Sequence, residues 1–494
     1  SKTQATYNFG RKDKLDLDQI RRLIKSLSGV LPTEEANQIQ AGINGFKDFR
    51  FIGSKQLGAS FFLNQLWHHL ELDKILKKLL QERNYSTPIE RLIFAMVANR
   101  ALAPSSKLNI EHWVANEVYL PGLSEVEVHQ LYRAMDFLLE TSEIIQKEMF
   151  FSVATLFNLD VDILFLDTTS TYFEIMQEDE EKQDQIALRK RGYSKDNHPE
   201  LPQVIIAFAV TKTGIPVRCW VWPGNTPDKD IIKEVKEDLN SWKLNRVIMV
   251  QDSGFNNEEN KKILKGAGGN YIIGEKMRLG SKGTPAQALK AKGRFKKLDN
   301  GLEIKDVVIN TDSEARRRYI VVRNPEEAEY DRNRRHEIIE EVKKRLKDLK
   351  QLEGDDEPHK KSACELRAHS TYGRYIRQTK TGKLRLDKAK IRREEKFDGK
   401  YLISTSDDWL PAEELVMGYK QLYEIERVFR GLKHVIDIRP VNHRLPERIK
   451  SHILLCWIAM LMIRVVENNV DDTWFQIKKK LSPIKLMLRF ATQL

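Results

Sequence analysis

Two short apolar runs, each followed closely by an aspartate, constrain this chain more than any other feature. Ile163-Leu164-Phe165-Leu166 runs into Asp167, and Val247-Ile248-Met249-Val250 leads to Asp252. Short runs rich in β-branched and aromatic residues, bounded by polar segments, read as buried strands. A carboxylate at the tip of such a strand is exposed at the sheet edge, yet rigid backbone holds it. Two further strands, Val204 to Val210 and Pro216 to Trp222, are joined by the turn Thr211-Lys212-Thr213-Gly214. Asp230 to Trp242 has helical periodicity. The helix Asn257 to Lys265 leads through Gly266, Gly268 and Gly269 into a strand at Tyr271-Ile272-Ile273. The order β-β-β-α-β-α-β predicts an α/β fold with a mixed sheet.

A third carboxylate enters from a helix. Pro411 to Lys433 reads as one amphipathic helix with an apolar stripe through Leu415, Tyr419, Leu422 and Phe429. Glu426 falls on that stripe, and a carboxylate aimed at a core is costly unless something pairs with it. A divalent metal is one such partner, and Asp167 and Asp252 are placed to share it. Glu424 is read as lying on the other side of the helix, beside Lys420 and Arg427. Hard cations prefer oxygen ligands, so three carboxylates suit two Mg²⁺ ions, with Mn²⁺ as a substitute. Two such ions ~3.5–4 Å apart can drive phosphodiester chemistry. Taken alone, either aspartate also reads as an ordinary turn residue.

Three sequence blocks resemble the DDE transposases of bacterial insertion sequences. They are Leu166-Asp167-Thr168-Thr169 with Tyr172-Phe173-Glu174, then Val250-Gln251-Asp252-Ser253-Gly254-Phe255, and then a Y-x2-R-x3-E-x6-K signature. That signature reads Tyr419, Leu422, Glu426, Lys433, so the arginine position departs, with Arg427 or Arg430 available instead. Gly192-Tyr193-Ser194-Lys195-Asp196 with Gln203, and Gly224-Asn225-Thr226 with Asp228, are also similar to the family. The resemblance implies an RNase H-like catalytic core and two metal ions on Asp167, Asp252 and Glu426. It further implies DNA contacts at Tyr419, Lys433, Arg430 and Lys195. Expected partners are double-stranded DNA (terminal inverted repeats and target) and a second copy of the chain in a synaptic homodimer. The expected setting is a bacterial cytoplasm, in association with the nucleoid. A transposase-derived DNA binder that no longer cuts, and a stand-alone nuclease of the same fold, are the alternatives.

Charge distribution points the same way. Between Glu275 and Lys400 there are 35 Lys and Arg against 23 Asp and Glu, a surplus equal to the +12 of the whole chain. A local basic excess suits a polyanion, although a solvated, charge-rich arm would also carry one. The expected organisation has five parts. Residues 1–155 are a helical N-terminal region for DNA binding or dimerisation. The core occupies 156–274 and 401–445, interrupted by a basic α+β insertion at 275–400, and a helical region fills 446–494. The N-terminal helices open at Thr87-Pro88-Ile89-Glu90 and at Ser124-Glu125-Val126-Glu127, two capping patterns. They fit a helix-turn-helix reader or a plain bundle equally well. The insertion has no Trp, so Phe295, Tyr319, Tyr330, Tyr372 and Tyr375 are its candidates for base stacking.

Several classes are disfavoured. His336-Glu337 lacks the second histidine of a zinc-protease motif, and no phosphate-binding glycine loop stands out. Cys219, Cys364 and Cys456 form no CxxC pair and read as reduced, structural residues of an intracellular protein. No signal peptide is read, and the Ser1 start is taken as a processed or engineered terminus. The longest clean apolar run, Leu454 to Ile463, is too short to span a bilayer and reads as a buried core helix.

Overall fold

The computed structural model describes residues 49–491, apart from short segments at 82, 182–185, 245, 279–282, 310–315 and 352–355. The first 48 residues of the expected N-terminal region lie outside the described residues.

The N-terminal region is not all helical. Strand β1, Phe49–Gln56, pairs antiparallel with β13, Lys485–Ala491, near the other end of the chain. Helices α1 (Gly58–His69), α2 (Leu72–Leu80), α3 (Ile89–Leu102), α4 (Lys107–His112), α5 (Val128–Glu140) and α6 (Ser142–Leu156) follow. Both expected caps differ in detail. No side chain caps α3, and Glu90 instead accepts from the buried Trp67 indole at 2.7 Å. The capping box of α5 is Glu127 with Gln130, one turn beyond Ser124. Helix α3 is buried on nearly every side, so these helices form a bundle with a shared core.

Among the described residues the central sheet has nine strands in the order β4-β3-β2-β5-β6-β12-β9-β8-β7. Its first five members are β2 (Ile163–Tyr172), β3 (Gln203–Thr211), β4 (Pro216–Pro223), β5 (Ile248–Gln251) and β6 (Asn270–Glu275). The β2-β3-β4 stretch is antiparallel, and β5 and β6 join β2 in parallel. This mixed arrangement is compatible with the RNase H-like core that the resemblance implies. Helices α7 (Ile232–Ser241) and α8 (Glu258–Lys265) connect its later strands.

Period-two alternation builds the layers. On β3, Val204, Ile206, Phe208 and Val210 enter one core, while Ile205, Ala207 and Ala209 enter the other. On β2, Phe165 faces the first core and Leu164 and Leu166 face the second. Burial on both faces explains why these strands read as continuous apolar runs.

The basic segment does not stand apart from this sheet. It contributes α9 (Thr284–Lys290), β7 (Lys296–Lys297), β8 (Glu303–Ile309), β9 (Arg317–Arg323) and the charged helix α10 (Pro325–Gln351). Then come α11 (Asp356–Ala368), the hairpin β10 (Ile376–Gln378) and β11 (Leu384–Leu386), and α12 (Lys388–Glu394). Strand β12, Lys400–Thr405, pairs with β6 on one side and β9 on the other, so β7 to β9 extend the core sheet. Of the segment's aromatics, Tyr319 and Tyr375 are buried and Tyr330 is exposed.

The expected single helix Pro411 to Lys433 is two helices, α13 (Ala412–Lys420) and α14 (Tyr423–His434). At the junction, Leu422 N donates to Tyr419 O and Glu424 N to Gln421 O. These three-residue steps tighten the turn and shift the phase of the second helix relative to the first. Helix α15, Pro446–Val470, follows and packs against α3, α5 and β4, and α16 (Trp474–Leu481) completes the helical part. Helix α15 is long and apolar enough to cross a membrane by length and composition, but 94% of its most apolar window is buried inside the protein.

Candidate catalytic carboxylate site

Asp167 sits within β2, not at its tip. Thr168, Thr169, Ser170 and Thr171 continue the strand, all buried, and β3 pairs with it throughout. What ends near Asp167 is the pairing on the other side, where β5 stops opposite Leu166. The register Leu166 to Gln251 therefore brings Asp167 and Asp252 next to each other, at the carboxyl end of β5. Ligands of open α/β sheets commonly bind at such strand ends.

Alternation also sets the face. Asp167, two residues after Phe165, shares its side of the sheet. Its cross-strand partner Phe208 meets Phe429 of α14, ring centroids 5.7 Å apart. The helix that carries Glu426 thus covers the face from which Asp167 projects.

Helix α14 presents its two glutamates opposite to the expectation. Glu424 is buried, and its Oε2 accepts from Arg464 at 2.9 Å. Glu426 is exposed. The stripe expected to bury Glu426 is carried instead by Ile425, Val428, Phe429 and Leu432. The phase shift at Gln421-Leu422 causes this, since the seven-residue step from Tyr419 to Glu426 crosses two helices. Even so, Glu426 lines one cavity of about 340 Å³ together with Asp167, Asp252, Tyr419, Tyr401 and Tyr423. Leu422, at the signature's arginine position, lines the same cavity.

Burial dominates the electrostatics at Asp167, and the neighbouring carboxylates are secondary. Burial pushes the Asp167 carboxyl up to about 6, and Asp228 and Asp252 add to this, while Lys195 and the Thr168 N–H oppose it. Thr168 N donates to Asp167 Oδ1 at 2.7 Å. Asp252 Oδ1 accepts from Ser253 N at 2.5 Å, so this carboxylate also caps the turn that follows β5.

Sequence reasoning gave Asp228 no role in the site. It starts a short turn after β4, and its Oδ1 accepts from Thr168 Oγ1 at 2.5 Å. Its place within the family-like stretch after Gly224 was the available signal.

The remaining expected site residues fall as follows. Tyr419 is half-buried, stacked on Tyr401 at 5.8 Å, and its hydroxyl fits against Gly274, where an added Cβ would lie 2.3 Å from it. Burial raises its phenol well above the usual range, with Asp252 adding to the rise. Lys433 Nζ pairs with Asp196 at 2.8 Å, and Arg439 reaches the same carboxylate at 3.3 Å. Lys433 is therefore engaged with the 193–196 loop. Arg430 is exposed on α14, and Arg427 lies 3.6 Å from Glu467. Lys195 Nζ is 3.1 Å from Asp228 Oδ2 and 3.8 Å from Asp167 Oδ1.

Among the described residues no three Asp, Glu, His or Cys groups converge closely enough to hold a metal ion as they stand. The donor set still fits a hard divalent cation. Asp167, Asp252 and Glu426 are all oxygen donors on one cavity, and the surplus negative charge around Asp167 is what such a cation would neutralise. A larger cavity, about 500 Å³, surrounds Arg464 beside Glu424 and Glu467. The Arg464 guanidinium is already bonded there to both carboxylates and to the Thr213 and Gly214 carbonyls.

A family model described as a transposase DDE domain matches residues 167–462, which begin at Asp167 and include Asp252 and Glu426. No curated protein matches the chain. Among solved structures, the chain is similar to the piggyBac transposase in a cryo-EM synaptic complex with hairpin DNA. The two share 11% identity with a TM-score of 0.37, over 86% of this chain and 79% of that one.

Proposed function

The chain belongs to the transposase DDE domain family, and on that premise we propose that it is a DNA transposase. Its Asp167, Asp252 and Glu426 would hold two Mg²⁺ ions, with Mn²⁺ able to substitute. The observation that carries this reading is the meeting of three carboxylates, from β2, from the end of β5 and from α14, on one cavity. Divalent ions bound there supply an activated nucleophile and a stabilised leaving oxygen. The chain's own groups orient and shape. The Thr168 N–H fixes the Asp167 carboxylate. The Ser253 N–H fixes Asp252. Tyr419 and Tyr401 wall the cavity, and the Lys433–Asp196 pair ties α14 to the 193–196 loop.

In the proposed reaction, water attacks a phosphodiester at the element end and frees a 3′-OH. That hydroxyl then attacks target DNA in a transesterification, with no covalent protein–DNA intermediate. Arg430, exposed on α14, and the surplus Lys and Arg of residues 275–400 would bind phosphate, with affinity falling as salt rises. Two copies would pair two ends in a homodimer.

The test is incubation of the full chain and Mg²⁺ with a duplex carrying the DNA that flanks its coding sequence. The expected products are 3′-OH nicks at defined positions, then strand-transfer joints. Full activity in Asp252→Asn or Glu426→Gln would sink the assignment. Cutting without joining would mark a nuclease, and salt-sensitive binding without nicking would mark an inactive DNA reader.

A further inference from the structure

Lys195 is built into the carboxylate cluster. Its ammonium has three donors, and the structure supplies partners for all of them. It donates to Thr168 O at 2.8 Å and to Thr168 Oγ1, and it pairs with Asp228 Oδ2 at 3.1 Å. Asp167 Oδ1 lies 3.8 Å away. The ammonium is therefore fully engaged with the cluster and has no donor left for a DNA phosphate in this arrangement.

Its placement is fixed by backbone. A Cβ on Gly192 would lie 2.1 Å from Gly224 O, and one on Gly224 would lie 2.1 Å from both Gln203 O and Lys190 O. Gln203 Nε2 donates to Tyr193 O and Gly224 O, both at 3.0 Å. Lys195 N donates to Ser170 Oγ at 3.0 Å, and Asp196 next to it is held by Lys433 and Arg439. The loop is clamped on either side of Lys195, so a freely solvated lysine is not what the chain has built.

From this arrangement we propose that Lys195 is the resident counter-cation of the carboxylate cluster, and that its fixed positive charge beside Asp167 weakens the binding of a divalent metal ion there. The proposal rests on the reading of Asp167, Asp252 and Glu426 as metal ligands. The tethered ammonium offsets part of the negative charge of Asp167 and Asp228 in the metal-free protein, and it opposes an incoming cation by charge repulsion.

The experiment is Mn²⁺ titration of the full, metal-free chain by calorimetry at pH 8, with thermal unfolding measured alongside. Lys195→Met is expected to bind Mn²⁺ about tenfold more tightly than wild type. Metal-free Lys195→Met should unfold at lower temperature, and saturating Mn²⁺ should restore it. Lys195→Arg, which keeps the charge, should stay near wild type. Lys195→Gln, which removes the charge but keeps amide donors for Thr168, should follow Lys195→Met and covers the case in which the methionine variant does not fold. Unchanged or weaker Mn²⁺ binding in the neutral variants would overturn the proposal. Asp252→Asn separates the two levels. If it abolishes binding while Lys195→Gln equals wild type, only the counter-cation role fails. If it changes nothing in any background, the metal site fails and the counter-cation role fails with it.

Discussion

Glu424 and Glu426 are two residues apart on α14, and their substitution should separate stability from chemistry. Glu424→Gln removes a buried charge whose partner, Arg464, is only 2% exposed. Breaking a buried pair from one side costs roughly 3–5 kcal/mol, because the remaining charge is left without compensation. Arg464 keeps Glu467 at 3.0 Å and the carbonyls of Thr213 and Gly214, so the loss here should be nearer about 2–3 kcal/mol. With an unfolding entropy of about 2 cal/mol/K per residue, a chain of 494 residues loses roughly 2–3 °C of Tm if it unfolds as one unit. Glu426→Gln touches an exposed side chain and should leave Tm within about half a degree. The assay is differential scanning calorimetry of both variants without metal, paired with Mg²⁺-dependent cleavage. Glu424→Gln should be less stable and still cut below its transition, whereas Glu426→Gln should be as stable as wild type and not cut. Equal destabilisation by both, or loss of cleavage in Glu424→Gln at full stability, would refute the reasoning.

Two other expectations concern stability. Gly274→Ala places a Cβ 2.3 Å from the Tyr419 hydroxyl and should cost about 1–3 kcal/mol in urea unfolding, with part of the loss recovered in the double variant with Tyr419→Phe. Burial, with Arg100 nearby, pulls the Lys107 ammonium down to about 7. Below pH 7 both folded and unfolded chains carry that proton and the fold bears the whole cost of burying it. From pH 7 to about 10.5 only the unfolded chain keeps it, so this residue's contribution to stability improves as pH rises. Lys107→Met should therefore be more stable than wild type at pH 7 by a few kcal/mol, a gap that narrows by pH 10. Urea titrations at both values check the sign.

Much of the core was legible because its signals are local. Apolar runs of strand length, the turn after Thr211 and the helix ending at Lys265 each depend on near neighbours, and all fall where the sequence places them. The polar continuation of β2 beyond Asp167 was not legible. Thr168 to Thr171 look like a loop until β3 is seen to pair with them. The β1–β13 pair joins segments from opposite ends of the chain, and no local pattern announces such a partner. The stretches Ile304 to Ile309 and Tyr319 to Val322 read as strand-like, but the addition of β7 to β9 to the main sheet depends on β12 accepting partners on both edges.

The α13–α14 junction marks the boundary most sharply. Sequence alone determined that Glu426 belongs with Tyr419 and Lys433 in a spaced signature, and that two aspartates follow apolar strand runs. Only tertiary structure decided which glutamate is buried. The tightened turn at Gln421-Leu422 rotates α14, so Glu424 meets Arg464 while Glu426 turns to the cavity beside Asp167 and Asp252. Tertiary structure alone also brought Asp228 and Lys195 to Asp167. The reason is physical: periodicity fixes a side chain's angle within one helix or strand, but charge pairing acts through space between elements far apart in the chain.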